Sequence, residues 1–399
     1  TNPDQNIWVG TGETWTRNSV SIGDGLFKST DGGSNFEEVP GFENSERITS
    51  IVINPKNNQE IYVGVLGALW ADSQDRGVYK TTDGGASWSK ILYIGPSTGA
   101  SDVIMDPENP AILYASMWEF RRSGWGFNSG GTSSALYKSE DAGATWNKIH
   151  EGFPEGKLGR IAIAVAPSDA SVLYAVLETE EKSKNGLWKS TNAGASWEHL
   201  NNDFGLVVRP FYFSRIVIDP KNPDVVLKGG LNGSISRDGG KTFKDLGNMH
   251  SDIHDFAFHI NDSDVIYSGT DGGVYRSWNG GTTMEIVENL PISQFYHISV
   301  DNETPYNVYG GLQDNGSWYG PSTHKESIDW IDNGQYGYKS INGGDGMQVQ
   351  IDPRDHNIVY TGSQFGSYMR INKQTTGGKF LRPASANLNE PKARFNWQT

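Results

Sequence analysis

The sequence predicts an all-β protein, a β-propeller of about seven to eight four-stranded blades, and three observations support this. Turn-forming and aromatic residues are abundant, with 49 Gly, 17 Pro, 13 Trp, 17 Tyr and 16 Phe among 399 residues. No stretch shows the 3.6-residue apolar period of a helix. A short phrase that usually ends in an aromatic residue recurs at intervals of 41 to 58 residues, which is typical of propeller blades.

The recurring phrase is a turn signal built around Asp or Asn. Two clear copies are Lys28-Ser-Thr-Asp-Gly-Gly-Ser-Asn-Phe36 and Lys80-Thr-Thr-Asp-Gly-Gly-Ala-Ser-Trp88. Asp or Asn can bond nearby backbone and Gly accepts positive φ, so the phrase predicts a tight hairpin turn whose aromatic residue packs between sheets. The six turn residues are Asp31, Asp83, Asp141, Asn192, Asp238 and Asn279.

Two further phrases complete each repeat. A buried strand closed by a turn occurs at Ile51-Val-Ile-Asn-Pro55, and a second strand follows at Ile61-Tyr-Val-Gly64. Each repeat therefore predicts strand A, a turn, strand B, a variable loop, strand C, the Asp turn and strand D, which make one antiparallel blade. We expect 1–399 to be a single propeller with blades near 1–40, 46–92, 100–150, 157–200, 212–246, 252–287, 294–333 and 345–385.

The two ends of the sequence are ragged. The first blade begins at strand B, because Asn2-Pro-Asp-Gln-Asn6 is already a turn, so its innermost strand is missing. The tail after Arg382 resembles an unfinished further blade. We expect the chain to be an excerpt of a longer multi-propeller protein, whose own further blades are its partners.

Charge and composition exclude several function classes. The net charge is −14 and no basic run exceeds the pair Arg121-Arg122, which argues against nucleic-acid binding. The apolar runs are too short for a membrane span or a signal peptide. With no Cys, disulfides, Cys-ligated zinc and thiol catalysis are excluded. His250 and His254 precede a strand rather than lie on a helix, so we expect no metal and no cofactor.

The loops between strands B and C are the elaborated ones, at Gly10–Gly25, Leu66–Gly77, Trp118–Ala135, Glu178–Gly186 and Leu312–Gly320. Antiparallel order places these loops at one face of the blades, where binding residues are common. Trp70, Arg121 and Trp125 are candidate ligand contacts there, since Trp and Arg anchor peptides and Trp stacks on sugars. Alternatively, the loop aromatics pack on one another to hold the loops in place.

A second candidate binding group lies nearer the central channel. Arg47, Arg160 and Arg215 each begin an innermost strand at the end nearest the long loops. Converging guanidinium groups would bind a carboxylate or phosphate, and we add His254 and Gln313 to this ligand-binding set. The alternative is that each arginine pairs with a carboxylate of a neighbouring blade.

Three aspartates in glycine-rich phrases are candidate catalytic acids, namely Asp271, Asp314 and Asp345. Two carboxylates across a groove are what glycoside hydrolysis needs, one to protonate the leaving oxygen and one to activate water or attack. Glycine-flanked aspartates also serve simply as turn formers.

The turn phrase resembles the Asp-box of bacterial-neuraminidase-repeat (BNR) propellers. Trp8-Val-Gly-Thr-Gly-Glu-Thr14 and the phrases around Asp271, Asp314 and Asp345 are similar to sortilin-like propeller proteins of bacteria, often loosely named glycosyl hydrolases. The resemblance implies an extracellular or cell-surface bacterial protein. Sortilins bind peptides in the propeller tunnel, whereas in related xyloglucanases a catalytic Asp lies in a phrase similar to Thr270-Asp-Gly-Gly-Val-Tyr-Arg276, although the copy here is one residue shorter.

These observations favour a secreted or cell-surface propeller that binds a peptide, protein or polysaccharide ligand on its long-loop face, without proven catalysis. The alternative is a xyloglucanase-like glycoside hydrolase that uses Asp271 with Asp314 or Asp345. A purely structural surface module is a third hypothesis.

Overall fold

The computed structural model describes residues 6–17, 20–213, 215–287, 290, 293–325, 337–375, 377–381 and 394–397. Its described helices are three short 3-10 turns, at Lys182–Lys184, Phe204–Val207 and Gln364–Gly366. No helix in these ranges has the length and apolarity needed to cross a membrane. The predicted turn at 2–5 and most of the predicted unfinished blade, at 382–393 and 398–399, lie outside the described residues.

The chain forms two compact units. The first comprises Thr1–Thr270 and Val274–Glu285. The second comprises Asp271–Gly273 and Ile286–Thr399.

The first unit contains six blades in chain order. In five of them consecutive strands pair as hairpins, whereas the second strand of blade three pairs with the first, the third and the fourth. Blades one to three consist of β1 (Ile7–Gly10), β2 (Leu26–Ser29) and β3 (Glu37–Val39); β4 (Ile48–Ile53), β5 (Ile61–Val65), β6 (Gly77–Thr81) and β7 (Ser89–Leu92); and β8 (Thr98–Met105), β9 (Leu113–Ser123), β10 (Gly126–Ser129), β11 (Ala135–Ser139) and β12 (Asn147–Ile149). Blades four to six consist of β13 (Leu158–Ala166), β14 (Asp169–Thr179), β15 (Gly186–Ser190) and β16 (Glu198–Asn201); β17 (Arg215–Ile218), β18 (Val226–Gly229), β19 (Ser234–Ser236) and β20 (Lys244–Asp245); and β21 (Ile253–His259), β22 (Asp262–Thr270), β23 (Gly273–Ser277) and β24 (Glu285–Ile286).

The second unit contains blades seven and eight. They consist of β25 (Phe295–Val300), β26 (Asn307–Leu312), β27 (Gly316–Pro321) and β28 (Lys339–Asn342), then β29 (Gly346–Asp352), β30 (Asp355–Ser363), β31 (Ser367–Asn372) and β32 (Gly378–Phe380). Across the described residues the predicted all-β fold of four-stranded propeller blades is confirmed.

The six Asp turns share one hydrogen-bond pattern. In blade two, the Thr81 hydroxyl donates to Asp83 Oδ1 at 2.7 Å, and the N–H of Ser87 donates to the same oxygen at 2.9 Å. The N–H of Gly85 donates back to the Thr81 hydroxyl at 3.0 Å. The turn residues of the other five copies accept the equivalent pair of bonds. The turn is therefore closed by its own polar side chains.

Within the first unit, neighbouring blades pack on one another through aromatic residues of these same phrases. The Asp-turn aromatic of one blade lies against the preceding blade, as Trp88 does against Phe42 of blade one, with ring centroids 5.1 Å apart. The strand-B tyrosine reaches in the other direction. The hydroxyl of Tyr62 donates to the carbonyl of Ala142, and that of Tyr114 to the carbonyl of Ala193. The repeated phrases therefore form both the turns and the contacts between blades.

Several predicted boundaries need correction. The insert at Trp118–Ala135 is largely a hairpin, because β9 continues to Ser123 and pairs with β10. The insert at Leu312–Gly320 is mostly strand, since β27 begins at Gly316 after a three-residue turn. The fourth strand of blade seven, at Lys339–Asn342, lies beyond the predicted limit of 333. Blade three has five strands instead of four, whereas blade one has three in its described part, as its predicted start at strand B implies.

Candidate functional site

Two long inserts of the first unit contact each other and form what we call the long-loop surface, made of residues 66–76 and 118–135. The N–H of Arg122 donates to the carbonyl of Leu69 at 3.0 Å, and Arg121 pairs with Asp72. Both contacts join the loop of blade two to the hairpin of blade three. These connections hold the two inserts together as one surface.

A small apolar cluster lies beneath this surface. Leu66, Leu69, Trp118 and Phe120 are all fully buried. The Trp118 and Phe120 rings stack with centroids 4.5 Å apart, and the Arg76 guanidinium lies 4.4 Å from the Phe120 ring. Trp118 therefore packs beneath the loops and supports them.

Two other tryptophans of the same loops face solvent. Trp125, at the tip of the β9–β10 hairpin, is 95% exposed, and Trp70 is 50% exposed. Arg121, on the strand leading to that tip, carries the ion pair with Asp72. The structure thus places Trp70, Arg121 and Trp125, all candidates from the sequence, on one pair of joined inserts.

The three candidate arginines have different surroundings. Arg47 is fully buried and donates to Glu46 at 2.8 Å and to the carbonyl of Gly67 at 3.1 Å. Arg160 is 3% exposed. Its guanidinium donates to the carbonyls of Thr14 and Phe211. Neither arginine is open to solvent in this structure, because protein acceptors and packed loops enclose both.

Arg215 is the accessible arginine of the three, with a side chain 31% exposed. It lies 3.6 Å from carboxylate oxygens of both Asp102 and Asp255. Burial raises the pKa of Asp102, while the charges of Arg215 and Arg160 and a bond from Ser50 oppose that rise. Two carboxylates therefore lie close enough to Arg215 to balance its charge.

Aromatic rings lie close to Arg160 and Arg215. Trp15 stacks under the Arg160 guanidinium at 4.3 Å and lies 5.3 Å from that of Arg215. Burial and the repulsion of Arg215 lower the pKa of Arg160 to about 9. The His254 ring contacts Trp15, Tyr212 and Phe213. His254 thus packs in an aromatic cluster.

The second unit brings together the three candidate acids, which are 31 to 74 residues apart in the sequence. The N–H of Asp314 donates to Asp345 Oδ1 at 3.0 Å, and the side chains of Asp345 and Asp271 both hydrogen-bond the Asp314 carboxyl. Asp345 is 6% exposed, while Asp271 and Asp314 are half-buried. We call these residues the acid group.

Burial raises the pKa of Asp314 to about 7, with further contributions from a hydrogen bond and the charge of Asp345 and from Asp271. Like charges in close contact cannot all ionise, so a proton is retained. Near neutral pH, Asp314 is therefore poised between a carboxylic acid and a carboxylate. A group in that state can give or take a proton.

Amide side chains position the acid group, and most of them are not among the site residues predicted from the sequence. Asn315 Nδ2 donates to the carbonyl of Asp271 at 2.8 Å, and Gln364 Oε1 accepts the N–H of Asp345 at 3.0 Å. Gln313, a predicted ligand contact, accepts a bond from the Tyr296 hydroxyl at 2.6 Å. The phrase Gln313-Asp314-Asn315 was visible in the sequence, but Gln364 carries no local signal because its partner lies 19 residues away.

Comparison with known proteins gives one family match. Residues 24–151 match the family model described as Sortilin-Vps10, "Sortilin, neurotensin receptor 3". The resemblance to sortilin-like propellers that the motifs predict is confirmed.

Parts of the chain are similar to curated proteins named xyloglucanases. A xyloglucanase of a Paenibacillus species is 23% identical over 268 residues, covering 58% of this chain and 24% of the relative. A xyloglucanase of Hypocrea jecorina is 29% identical over 164 residues, covering 39% and 18%. The crystal structure of the Niastella koreensis GH74 enzyme aligns with a TM-score of 0.42 and 15% identity over 95% of this chain and 61% of that one. The chain spans about a quarter of the length of the curated relatives it matches.

Proposed function

We propose that the chain is an extracellular β-propeller that binds polysaccharide on the long-loop surface through Trp70 and Trp125. The observation that carries the proposal is the exposure of two tryptophans on joined inserts: Trp125 at a hairpin tip is 95% exposed and Trp70 is half-exposed. Exposing an indole ring to water is unfavourable in free energy. Exposed apolar side chains grouped on a surface therefore mark interaction sites. Flat indole faces suit stacking on sugar rings.

The net negative charge of the chain favours an uncharged polysaccharide as the ligand. A net charge of −14 repels polyanionic chains at long range. On this surface the positive charge of Arg121 is balanced by Asp72, with which it forms an ion pair. The curated relatives are named xyloglucanases, which makes xyloglucan the first polysaccharide to test.

Titration calorimetry with xyloglucan oligosaccharides tests this binding. We expect Trp125→Ala and Trp70→Ala each to weaken binding about tenfold, which corresponds to about 1.4 kcal/mol. Trp278→Ala is the matched control, because Trp278 is 54% exposed but lies in an Asp turn. Wild-type affinity in both loop variants would contradict the proposal, and binding of peptides alone would assign the surface to polypeptide.

A second candidate function, glycoside hydrolysis, is favoured by the raised pKa of Asp314. In that reaction the Asp314 carboxyl gives its proton to the glycosidic oxygen as the bond to the anomeric carbon breaks. Water adds to that carbon and loses a proton to a second carboxylate. The second carboxylate must come from outside the acid group, since the reaction needs carboxyls about 5 to 9.5 Å apart, and these share hydrogen bonds.

Release of new reducing ends from a polysaccharide panel that includes xyloglucan tests hydrolysis. We expect turnover that is lost in Asp314→Asn and reduced in Asp271→Asn, while Trp278→Ala retains it. Silence across the panel together with a measurable dissociation constant would reject hydrolysis and leave binding alone.

A further inference from the structure

Asp345 holds the turn that carries Asp314. It lies directly before β29, is nearly buried, and its Oδ1 accepts the N–H of Asp314 at 3.0 Å. Its own N–H donates to Gln364 Oε1 at 3.0 Å. The Asp345 carboxylate is therefore fixed from blade eight and reaches into the turn of blade seven.

The turn that carries Asp314 has a left-handed backbone and lies against the loop that precedes β29. Asp314 has a φ of 61°, in the left-handed region that few side chains other than Asn and Asp tolerate. The N–H of Gly316 donates to the carbonyl of Gly344 at 2.9 Å. A Cβ on Gly346 would lie 1.9 Å from the carbonyl oxygen of Gly316, so the two loops are in close backbone contact. These backbone contacts fix the position of the Asp314 turn against the loop that carries Asp345.

The carboxyls of Asp314 and Asp345 differ in access. Asp345 is 6% exposed, while Asp314 is half-buried and can meet a ligand. A hydrogen bond between two carboxyls requires a proton on one of them. Within the second unit, the charged groups acting on Asp314 are Asp345 and Asp271.

We propose that Asp345 is a positioning residue, which fixes the Asp314 turn and keeps Asp314 a proton donor, so that Asp345 itself is not one of the two catalytic acids. This inference rests on the hydrolytic function proposed above. It resolves the choice between Asp314 and Asp345 that the sequence leaves open. Gln364 acts one step further back by holding Asp345.

Carbon-13 NMR of carboxyl-labelled aspartate tests the inference without turnover. The Asp314 signal is assigned from its loss in Asp314→Asn, and its titration is followed in the wild type and in Asp345→Asn. The asparagine keeps an oxygen for the Asp314 N–H but removes the charge, so we expect the Asp314 midpoint to fall by at least one pH unit. Asp352→Asn, which removes a carboxylate paired with Arg354 in the same blade, should leave it unchanged.

Kinetics separate positioning from catalysis. We expect Asp345→Asn to lower kcat about tenfold at pH 7 with little change in KM and to move the pH optimum toward acid. Asp314→Asn should lose turnover at every pH. An unshifted Asp314 midpoint in Asp345→Asn overturns the inference, as does loss of the titration when Ca²⁺ is added, which would assign the acid group to a cation. A shifted midpoint without any wild-type turnover rejects hydrolysis and leaves the positioning role standing.

Discussion

Lys228 is a buried lysine in the interior of blade five, and no carboxylate of the described residues forms an ion pair with it. It is 1% exposed, and its ammonium donates to the backbone carbonyls of Phe213 and Gly229. Burial alone lowers its pKa to about 7 from an ordinary value of 10.5. The lowered pKa means that the folded state disfavours the charged form.

We expect Lys228→Met to stabilise the protein at neutral pH. Below pH 7 the native state bears the whole penalty of a buried charge, and stability is regained as pH rises from about 7 toward 10.5. Lowering the pKa from 10.5 to about 7 corresponds to about 5 kcal/mol, and the two carbonyls left unpaired offset about half of that. A net gain of about 2 kcal/mol should appear at pH 7 in urea unfolding.

The pH dependence is the sharper measurement for this substitution. The wild type should gain stability between pH 7 and 9.5, and Lys228→Met should not. Lys241→Met, at an exposed lysine in an Asp turn, is the control for loss of charge. Parallel stability curves for wild type and Lys228→Met would show that Lys228 is accommodated without penalty.

The surroundings of a single residue could not always be predicted from the sequence, as Arg160 shows. That Arg160 begins an innermost strand could be predicted from its phrase. Its enclosure could not, because the acceptors Thr14 and Phe211 lie 146 and 51 residues away. Burial of a single guanidinium is set by whichever distant loops cover it, and no local pattern encodes that.

The Asp turn is the element that the sequence specifies best, and its glycines show why. The second residue after the Asp or Asn is Gly in all six copies, whereas the first is Gly or Ala. Both positions have positive φ, including Ala142 at 57° and Ala193 at 53°. The difference lies in packing. A Cβ on Gly85 would be 2.4 Å from the Trp8 ring of the preceding blade.

We expect Gly85→Ala to destabilise the protein by about 2 to 4 kcal/mol, since the new methyl group meets both a left-handed φ of 95° and the Trp8 ring. Gly84→Ala is the matched control. Its nearest neighbour is the flexible Gln59 side chain, and alanine occupies the same turn position in blades three and four. Gly84→Ala should change stability by less than about 1 kcal/mol.

Thermal unfolding of the two glycine variants side by side checks this prediction. Equal losses of stability in Gly84→Ala and Gly85→Ala would mean that backbone conformation alone, and not contact with the neighbouring blade, requires glycine at position 85. The comparison also explains the success of the blade prediction. Turn chemistry and interblade contact reside in the same nine-residue phrase, so a local pattern sufficed, whereas the β9–β10 hairpin has no counterpart among the repeats.

Across the whole molecule, the repeat concentrates carboxylates in turns that bind them tightly. Hydrogen bonds lower the pKa of Asp141 and Asp238 to about 2, and that of Asp83 further. Asn192 and Asn279 accept the same backbone bonds without titrating. By contrast, the acid group depends on three phrases that only the fold brings together, so its members could be predicted individually but their hydrogen bonds could not.

The turn carboxylates predict how the protein responds to acid. Their folded pKa values lie below the ordinary 3.8, so the stability they contribute is present above pH 3.8 and is lost as pH falls toward 2. We expect the triple variant Asp83→Asn, Asp141→Asn, Asp238→Asn to stay folded at pH 7, because the hydroxyls of Ser87, Thr145 and Thr242 can reverse their bonds and accept from the new amides, as Ser196 does from Asn192. Its Tm should fall less steeply between pH 4 and 2 than that of the wild type, as followed by circular dichroism. A control that converts the exposed Glu37, Glu198 and Asp245 to amides removes equal charge, and a matching flattening in that control would attribute the acid response to net charge instead of the turns.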